Sequence, residues 1–406
     1  MTTEQLRQSV ATADTHGVTS ASAARVDSVD ALRGLVMILM AVDHVRDFIG
    51  QSVPFRGIDV VKTGAPLFLT RWMTHFCAPV FVLLAGTAAF FQSAKGKSPK
   101  ELSRFLLTRG LWLVFLEITV VRFGWQFNIS YAFTALQVIW AIGVSMIALA
   151  ALVHLPVRVV GGIGLAMIAT HNLLDGISPD QLGSWGALFT LLHVSKPLQI
   201  VPGHSVFVVY PLVPWIGVMA AGYALGALAH VDSELRRRRF LQLGAACTLG
   251  FFLVRALDVY GDPAPWVRYD NPIHSALSLL NCTKYPPSLA FLLMTLGPAL
   301  LTLGLMEGRN HVGKRVFLVF GRAPLFYYIL HLYFIHVLAG ALFIGTYGIE
   351  KVMKSRGTFG MPAEMTFGLP VVFASTAVVV LLLYPLCRWF ADLKRRRRDL
   401  WWLSYF

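Results

Sequence analysis

The stretch Arg25–Gly50, RVDSVDALRGLVMILMAVDHVRDFIG, decides both the fold class and the location of the candidate site. It begins with a polar, charged segment, RVDSVDALRG, which we call the collar. It continues as an apolar helix that fits a membrane span. Near its far end it carries Asp43, His44 and Asp47. A charge at the centre of a bilayer costs on the order of 3 kcal/mol on insertion scales. Ionisable residues in such a helix are therefore functional candidates.

Helix geometry orders these residues. One face, followed in steps of three and four residues, carries Arg33, Met37, Met40, His44 and Asp47. From Arg33 to His44 the helix rises roughly 16 Å. With Arg33 at one membrane surface, we expect His44 near the middle of the bilayer. Asp47, one turn after His44, is its predicted intrahelical partner, because the adjacent Asp43 points about 100° away.

The composition indicates a membrane protein. The chain has 406 residues, of which 56% are hydrophobic and 14% charged, with a mean hydropathy of +0.63. This excludes a soluble globular protein and predicts an all-α polytopic fold of about ten transmembrane helices. The predicted spans are Ala31–Gly50, His75–Ser93, Phe105–Phe123, Tyr131–Leu152, Val157–Leu174, Val206–Leu228, Phe240–Asp258, Leu289–Met306, Pro324–Ile344 and Leu369–Phe390.

The basic residues predict the orientation. The net charge is +14, but the Lys and Arg residues form short runs beside apolar segments. Most runs fall on one side when both termini are cytoplasmic, which is typical of membrane orientation and not of nucleic-acid binding. For residues 1–24 we predict a disordered cytoplasmic tail without a signal peptide. We predict that residues 25–392 form a transmembrane domain and that residues 393–406 form a basic, aromatic cytoplasmic tail.

Two long segments lie on the predicted outer side, Asp175–Ser205 and Val259–Ser288. We interpret them as walls of an outward-facing pocket; surface loops with interfacial helices are the alternative. The second contains Lys284 and Tyr285, which we predict to bind substrate. Aromatic residues also collect at any bilayer interface, so a purely interfacial role stays open.

His44 is the central candidate. A histidine can accept a proton or attack an acyl carbon, while a neighbouring carboxylate orients its ring and stabilises its cation. Asp43 and Asp47 are the predicted tuning residues, and a polar cluster that only joins helices is the alternative. His75, at the start of the second span, is a further catalytic candidate or an interfacial histidine. The cysteine and histidine spacing predicts no metal site.

The ninth span, FGRAPLFYYILHLYFIHVLAG, is the second distinctive stretch. Tyr327 and Tyr328 precede His331 by four and three residues, so one of them can share its face. We predict that His331 and both tyrosines contact substrate. Arg322, near the cytoplasmic surface, could bind a donor phosphate or a lipid head group. Walker, HExxH, GxSxG and dinucleotide-binding motifs are lacking in a suitable context.

Several blocks together resemble the bacterial branch of the heparan-alpha-glucosaminide N-acetyltransferase family. They are RVDSVDALRGLVMILMAVDHVRDF, TRWMTHFCAPVFVLLAG, TKYPPSLAFLLMTLGPAL and GRAPLFYYILHLYFIHVLA. The DALRG collar, followed by a histidine, is also similar to the first helix of the wider transmembrane acyltransferase group. That resemblance marks Arg33 and His44 as functional.

The resemblance implies transfer of an acetyl group from cytoplasmic acetyl-CoA to a sugar amine or hydroxyl across the membrane. Arg33 and Arg322 would then bind CoA phosphates, and the acceptor would be an envelope glycan of a bacterial inner membrane. Lysosomal animal members carry a candidate active histidine in the loop before the block that matches APVFVLLAG. The corresponding loop here, Gln51–Thr74, contains no histidine. The role of that histidine could pass to His44 or His75.

Two other function classes stay open. A proton-coupled secondary transporter or exporter could use the same intramembrane Asp and His residues to relay protons. A membrane scaffold with only structural polar clusters is the third hypothesis. Membrane lipid, acyl-CoA and a glycan are the expected partners, without nucleic acid, and the oligomeric state is left open between a monomer and a homodimer.

Overall fold

The computed structural model describes residues 26–51, 58–310, 312–354, 365–397, 399–400 and 402–403. The predicted N-terminal tail, residues 1–24, lies outside these ranges, as does part of the predicted C-terminal tail. The fold is mostly helical, as predicted. The last long helix continues to Arg396, so it includes the first residues that were assigned to the C-terminal tail.

The first half of the described chain contains α1 (Asp27–Ile49), α2 (Val60–Thr63), α3 (Ala65–Thr74), α4 (Cys77–Ser93), α5 (Pro99–Leu116), a π-helical segment (Glu117–Val121), α6 (Arg122–Gln126), β1 (Phe133–Leu136), α7 (Val138–Leu152) and α8 (Val157–Thr170). Short 3₁₀ turns follow at His171–Leu174 and Pro179–Trp185.

The second half contains α9 (Gly186–His193), β2 (Pro197–Val201), β3 (His204–Val208), α10 (Leu212–Leu225), a 3₁₀ turn (Gly226–His230), α11 (Ser233–Leu257), α12 (Pro272–Leu280), α13 (Leu289–Met306), α14 (Lys314–Arg322), α15 (Pro324–Tyr347), α16 (Ile349–Lys354) and α17 (Leu369–Arg396).

A small β-sheet was not predicted. Its order is β1-β3-β2, with β3 parallel to β1 and antiparallel to β2. Two spans were therefore predicted to begin too early: in Tyr131–Leu152 the helix starts at Val138, and in Val206–Leu228 it starts at Leu212. A short apolar strand that leads into an apolar helix has no separate signature in hydropathy.

Seven described helical segments are long and apolar enough to cross a membrane. They are Ala65–Ser93, Val157–Leu174, Leu212–His230, Ser233–Leu257, Leu289–Met306, Pro324–Tyr347 and Leu369–Arg396. The other predicted spans correspond to α1 and α5, which carry several charged residues, and to the shorter α7. The count of ten and the cytoplasmic location of the termini therefore stay predictions.

Helix α1 lies at the centre of the site region and packs against α4, α14, α15 and α17. Its backbone touches that of α14 through two glycines. A Cβ atom on Gly34 would lie 1.8 Å from the carbonyl oxygen of Phe317, and one on Gly321 would lie 1.8 Å from that of Asp30. This close approach lets Arg33 donate a hydrogen bond to the Gly321 carbonyl at 3.1 Å.

Gly34→Ala tests this helix contact. The added methyl group must push α1 away from α14, so we expect a loss of about 1–3 kcal/mol in stability, measured by thermal unfolding in detergent. Gly340→Ala is the matched control, because Gly340 also lies within a helix and its added Cβ meets no atom within 4 Å. Equal stability of the two variants would contradict the contact.

Candidate functional site

His44 forms a histidine pair with His331 of α15. The His44 Nδ1 and His331 Nε2 atoms are 2.7 Å apart, and the rings stack at a centroid distance of 4.9 Å. The other ring nitrogen of His331, Nδ1, lies 3.0 Å from the carbonyl oxygen of Tyr327. A carbonyl can only accept, so His331 Nδ1 carries the proton and its Nε2 accepts from His44 Nδ1. In this neutral pair the lone pair of His44 lies on Nε2.

Aromatic rings surround the pair. Trp125 meets His44 edge-on with centroids 4.9 Å apart, and Tyr328 does so at 6.0 Å. The Tyr327 ring stacks on His331 at 5.1 Å. Because few polar groups compete in such a buried setting, the hydrogen bond between the two histidines is strengthened.

Asp43 belongs to a separate ionic cluster on the other side of α1. It accepts a hydrogen bond from Arg46 Nη2 at 2.7 Å and one from the Thr74 hydroxyl at 2.7 Å. Lys284 Nζ lies 3.9 Å from its second oxygen. Arg46 also binds Asp47 at 2.7 Å, which corrects the prediction that Asp47 pairs with His44. A guanidinium has several N–H donors and serves both carboxylates at once, whereas His44 is already held by α15.

A first cavity of about 290 Å³ opens beside the charged collar. Its cations are Arg33, Arg109, Arg322 and Lys394. Apolar residues of α1, α4, α5, α7 and α15 line the rest, and Tyr328 lies among them. Arg109 and Lys394 were missed by the sequence analysis, although Arg109 is a cation within the apolar run LLTRGLWLVF. Residues from separate helices form this cavity, so no local motif reveals it.

Each of the two predicted arginines forms an ion pair with an aspartate at the start of α1. Arg33 Nη1 lies 2.8 Å from Asp30 Oδ1, and Arg322 Nη2 lies 3.3 Å from Asp27 Oδ1. Each guanidinium has more N–H donors than one carboxylate oxygen uses. The arginines are therefore fixed in place and can still contact an anionic ligand.

A second cavity of about 330 Å³ lies on the Asp43 side. Both long loop segments wall it, as predicted: Asp175, His193 and Val194 come from the first, and Pro263, Ala264 and Asn281–Pro286 from the second. Arg71 and the predicted residues His75, Lys284 and Tyr285 complete its polar lining. The structure thus brings these three predicted residues together in one cavity.

His75 lies between α3 and α4, and its side chain is buried. Neither of its ring nitrogens has a hydrogen-bond partner among the described residues. An unpaired buried polar group costs about 1–3 kcal/mol. A ligand that offered such a partner would remove this cost.

Asp175 and His193 form a pair that the sequence analysis missed, with His193 Nε2 2.8 Å from Asp175 Oδ1. Burial alone would raise the pKa of Asp175, but hydrogen bonds from the side chains of His193 and Asn172 lower it overall. The carboxylate is therefore ionised at neutral pH. Nothing in the sequence linked these residues: Asp175 follows the 3₁₀ turn His171–Leu174, and His193 ends α9.

The ninth-span residues divide between different environments. Tyr328 lines the first cavity, whereas His331 contacts His44. Tyr327 is fully buried against His331 and Phe320 and lines neither cavity. Of the two tyrosines, Tyr328 therefore lies toward a cavity and Tyr327 does not, because neighbouring helix residues point about 100° apart. Contact of these residues with substrate stays a prediction.

One lining residue of each cavity contacts α1 at consecutive positions. Lys284 of the second cavity lies 3.9 Å from Asp43, and the Tyr328 ring of the first lies 6.0 Å from that of His44. Neither Asp43 nor His44 itself lines either cavity.

A family model described as heparan-alpha-glucosaminide N-acetyltransferase, catalytic, matches residues 25–258, more than half of the chain. The protein belongs to this family. Together with its apolar helices, the match identifies an integral membrane protein. The matched region of this family member contains Arg33, Asp43, His44 and His75, whereas His331 lies beyond it. No curated protein matches the chain.

Arg46→Met tests the ionic cluster. Removing the shared cation leaves Asp43 and Asp47 near each other without their main counter-charge, so we expect a loss of about 3–5 kcal/mol, measured by thermal unfolding in detergent. Arg238→Met is the control, because the Arg238–Glu234 pair is exposed, at 3.0 Å, and such pairs contribute about 0–1 kcal/mol. Similar losses in both variants would refute the assigned role of Arg46.

Proposed function

We propose that the protein transfers an acetyl group from acetyl-CoA, bound in the first cavity, to an amine or hydroxyl of a glycan bound in the second. One observation carries this proposal: two cavities of different chemistry each have a lining residue beside Asp43 or His44, adjacent residues of one helix. Family membership supports the reaction class.

The first cavity suits the donor. CoA carries its negative charge on phosphates at one end and its reactive thioester at the other. Arg33 and Arg322 pair with aspartates at the start of α1, and Arg109 and Lys394 add positive charge to the cavity lining. Arginine forks match phosphate geometry. Tyr328 and apolar side chains would then contact the arm that carries the thioester.

His44 would provide the reactive nitrogen. Its Nε2 lone pair can remove a proton from the acceptor amine or hydroxyl, or attack the thioester directly. In either case positive charge develops on the His44 ring. His331 stabilises that charge by accepting the Nδ1 hydrogen bond, so we assign it a positioning role. Asp43 and Asp47 lie one residue and one turn away from His44, and Arg46 pairs with both of them.

The second cavity would bind the acceptor. His75, Lys284 and Tyr285 offer hydrogen-bonding groups there, and Asp175 with His193 extends the polar lining. By the distribution of basic runs, the first cavity faces the cytoplasm and the second faces the outside. In a bacterial inner membrane, an envelope glycan would be the acceptor.

His44→Ala and His331→Ala test the histidine pair. We expect CoA release from acetyl-CoA, measured with crude envelope glycans in nanodiscs, to fall about 10²–10⁴-fold for His44→Ala, the usual contribution of acid–base catalysis. His331→Ala should lower the rate as well, because His44 then loses its fixed tautomer. His154→Ala is the control, since His154 is exposed and lines neither cavity.

Failure of the wild-type protein to bind or turn over acetyl-CoA would overturn the proposal. A proton flux across liposomes that depends on His44, in the absence of turnover, would favour the transporter hypothesis instead. Turnover that is unchanged in His44→Ala would move the reactive role to His75.

Arg322→Gln and Arg109→Gln test the donor site. A charge-assisted hydrogen bond contributes about 1.5–3 kcal/mol, so KM for acetyl-CoA should rise roughly 10- to 100-fold. Acetyl-pantetheine, which lacks the nucleotide phosphates, should be used equally well by both variants and the wild type. Arg395→Gln is the control, because Arg395 is exposed and outside the cavity lining. Equal losses with both donors would contradict phosphate binding.

A further inference from the structure

Tyr328 lies beside both the first cavity and His44. Tyr328 lines that cavity and is almost fully buried. Its ring meets His44 edge-on at 6.0 Å and His331 at 5.5 Å. His44 itself is outside the cavity lining. A thioester that advances through the cavity toward His44 therefore passes the Tyr328 side chain.

The phenol of Tyr328 offers a ligand a hydrogen-bond donor. Its hydroxyl carries one O–H donor in addition to acceptor lone pairs. A carbonyl group that reaches Tyr328 in the first cavity can therefore accept a hydrogen bond from it.

The other polar side chains near His44 have different tasks. Both nitrogens of His331 are committed, one to His44 and one to the Tyr327 carbonyl. Arg46 binds Asp43 and Asp47 in the ionic cluster. Among the described rings that contact His44, Tyr328 alone carries a hydroxyl.

We propose that Tyr328 donates a hydrogen bond to the carbonyl oxygen of the donor thioester and stabilises the negative charge that develops there. This inference rests on the proposed function and adds a catalytic residue to it. Donors placed where an oxyanion forms commonly contribute more than any other single term in acyl transfer.

The charges balance in the following way. A nucleophile, either His44 Nε2 or the acceptor after His44 takes its proton, forms a bond to the carbonyl carbon. The carbonyl electron pair moves to oxygen, where the Tyr328 O–H meets it. When the C=O bond re-forms, the carbon–sulfur bond breaks and CoA leaves as a thiolate, which takes up the proton that the acceptor amine or hydroxyl loses. Tyr328 keeps its own proton throughout.

Isotope-edited infrared spectroscopy tests the hydrogen bond without any acceptor. Acetyl-CoA labelled with ¹³C at the carbonyl is bound to wild-type protein and to Tyr328→Phe. We expect the thioester C=O band to shift to lower frequency on binding to wild type, and most of that shift to vanish in the variant. Binding should be retained, because the phenyl ring still fills the cavity wall.

Kinetics provide a second readout. Tyr328→Phe should lower kcat about 10²–10³-fold, the range seen when an oxyanion donor is removed, while KM for acetyl-CoA changes little. Tyr384→Phe is the matched control, because Tyr384 lies on α17 against Phe320 and lines neither cavity. Its band position and kcat should equal those of the wild type.

The outcomes separate the two proposals. Bound acetyl-CoA with the same C=O frequency in wild type and Tyr328→Phe would overturn the role of Tyr328 and leave the acyltransferase assignment standing. A shifted band in both proteins would assign the hydrogen bond to another donor. Absence of acetyl-CoA binding to the wild type would overturn the proposed function and this inference with it.

Discussion

The hydrogen bond between His44 and His331 is the contact on which the candidate site depends. It joins the first long helix to α15 across most of the chain length, and the Tyr327 carbonyl fixes its direction. Without that carbonyl either ring could carry either proton, and His44 Nε2 would have no defined state. The reactivity proposed for His44 is thus a property of two helices together.

Charge burial explains why the rest of α1 is arranged as it is. Carboxylates within an apolar bundle are tolerated when cations and hydroxyls surround them. Arg46 binds both Asp43 and Asp47, Thr74 adds a hydrogen bond, and Lys284 approaches from a distant loop. This arrangement keeps the ionic cluster on the second-cavity side, while the histidine pair keeps an aromatic environment on the first-cavity side.

Much of the fold could be read from the sequence because apolar length and helical period are local properties. The long helices, the two loop segments that wall the second cavity, and the prominence of α1 all follow from such patterns. The sheet β1-β3-β2 could not be found this way, because its pairing depends on strands far apart in the chain. Arg109 and the Asp175–His193 pair were missed for the same reason. Their roles depend on residues that are distant in the sequence and come together only in the fold.

The sequence by itself determined that this is a helical membrane protein with ionisable residues on its first helix, because hydropathy and the cost of buried charge act along the chain. It also placed Arg33 and His44 on one helix face. Only the tertiary structure decided that His44 pairs with His331 and not with Asp47, and that Tyr328 faces the cavity while Tyr327 does not. Those choices depend on which helices pack together, and on backbone contacts as close as that between Gly34 and Phe317.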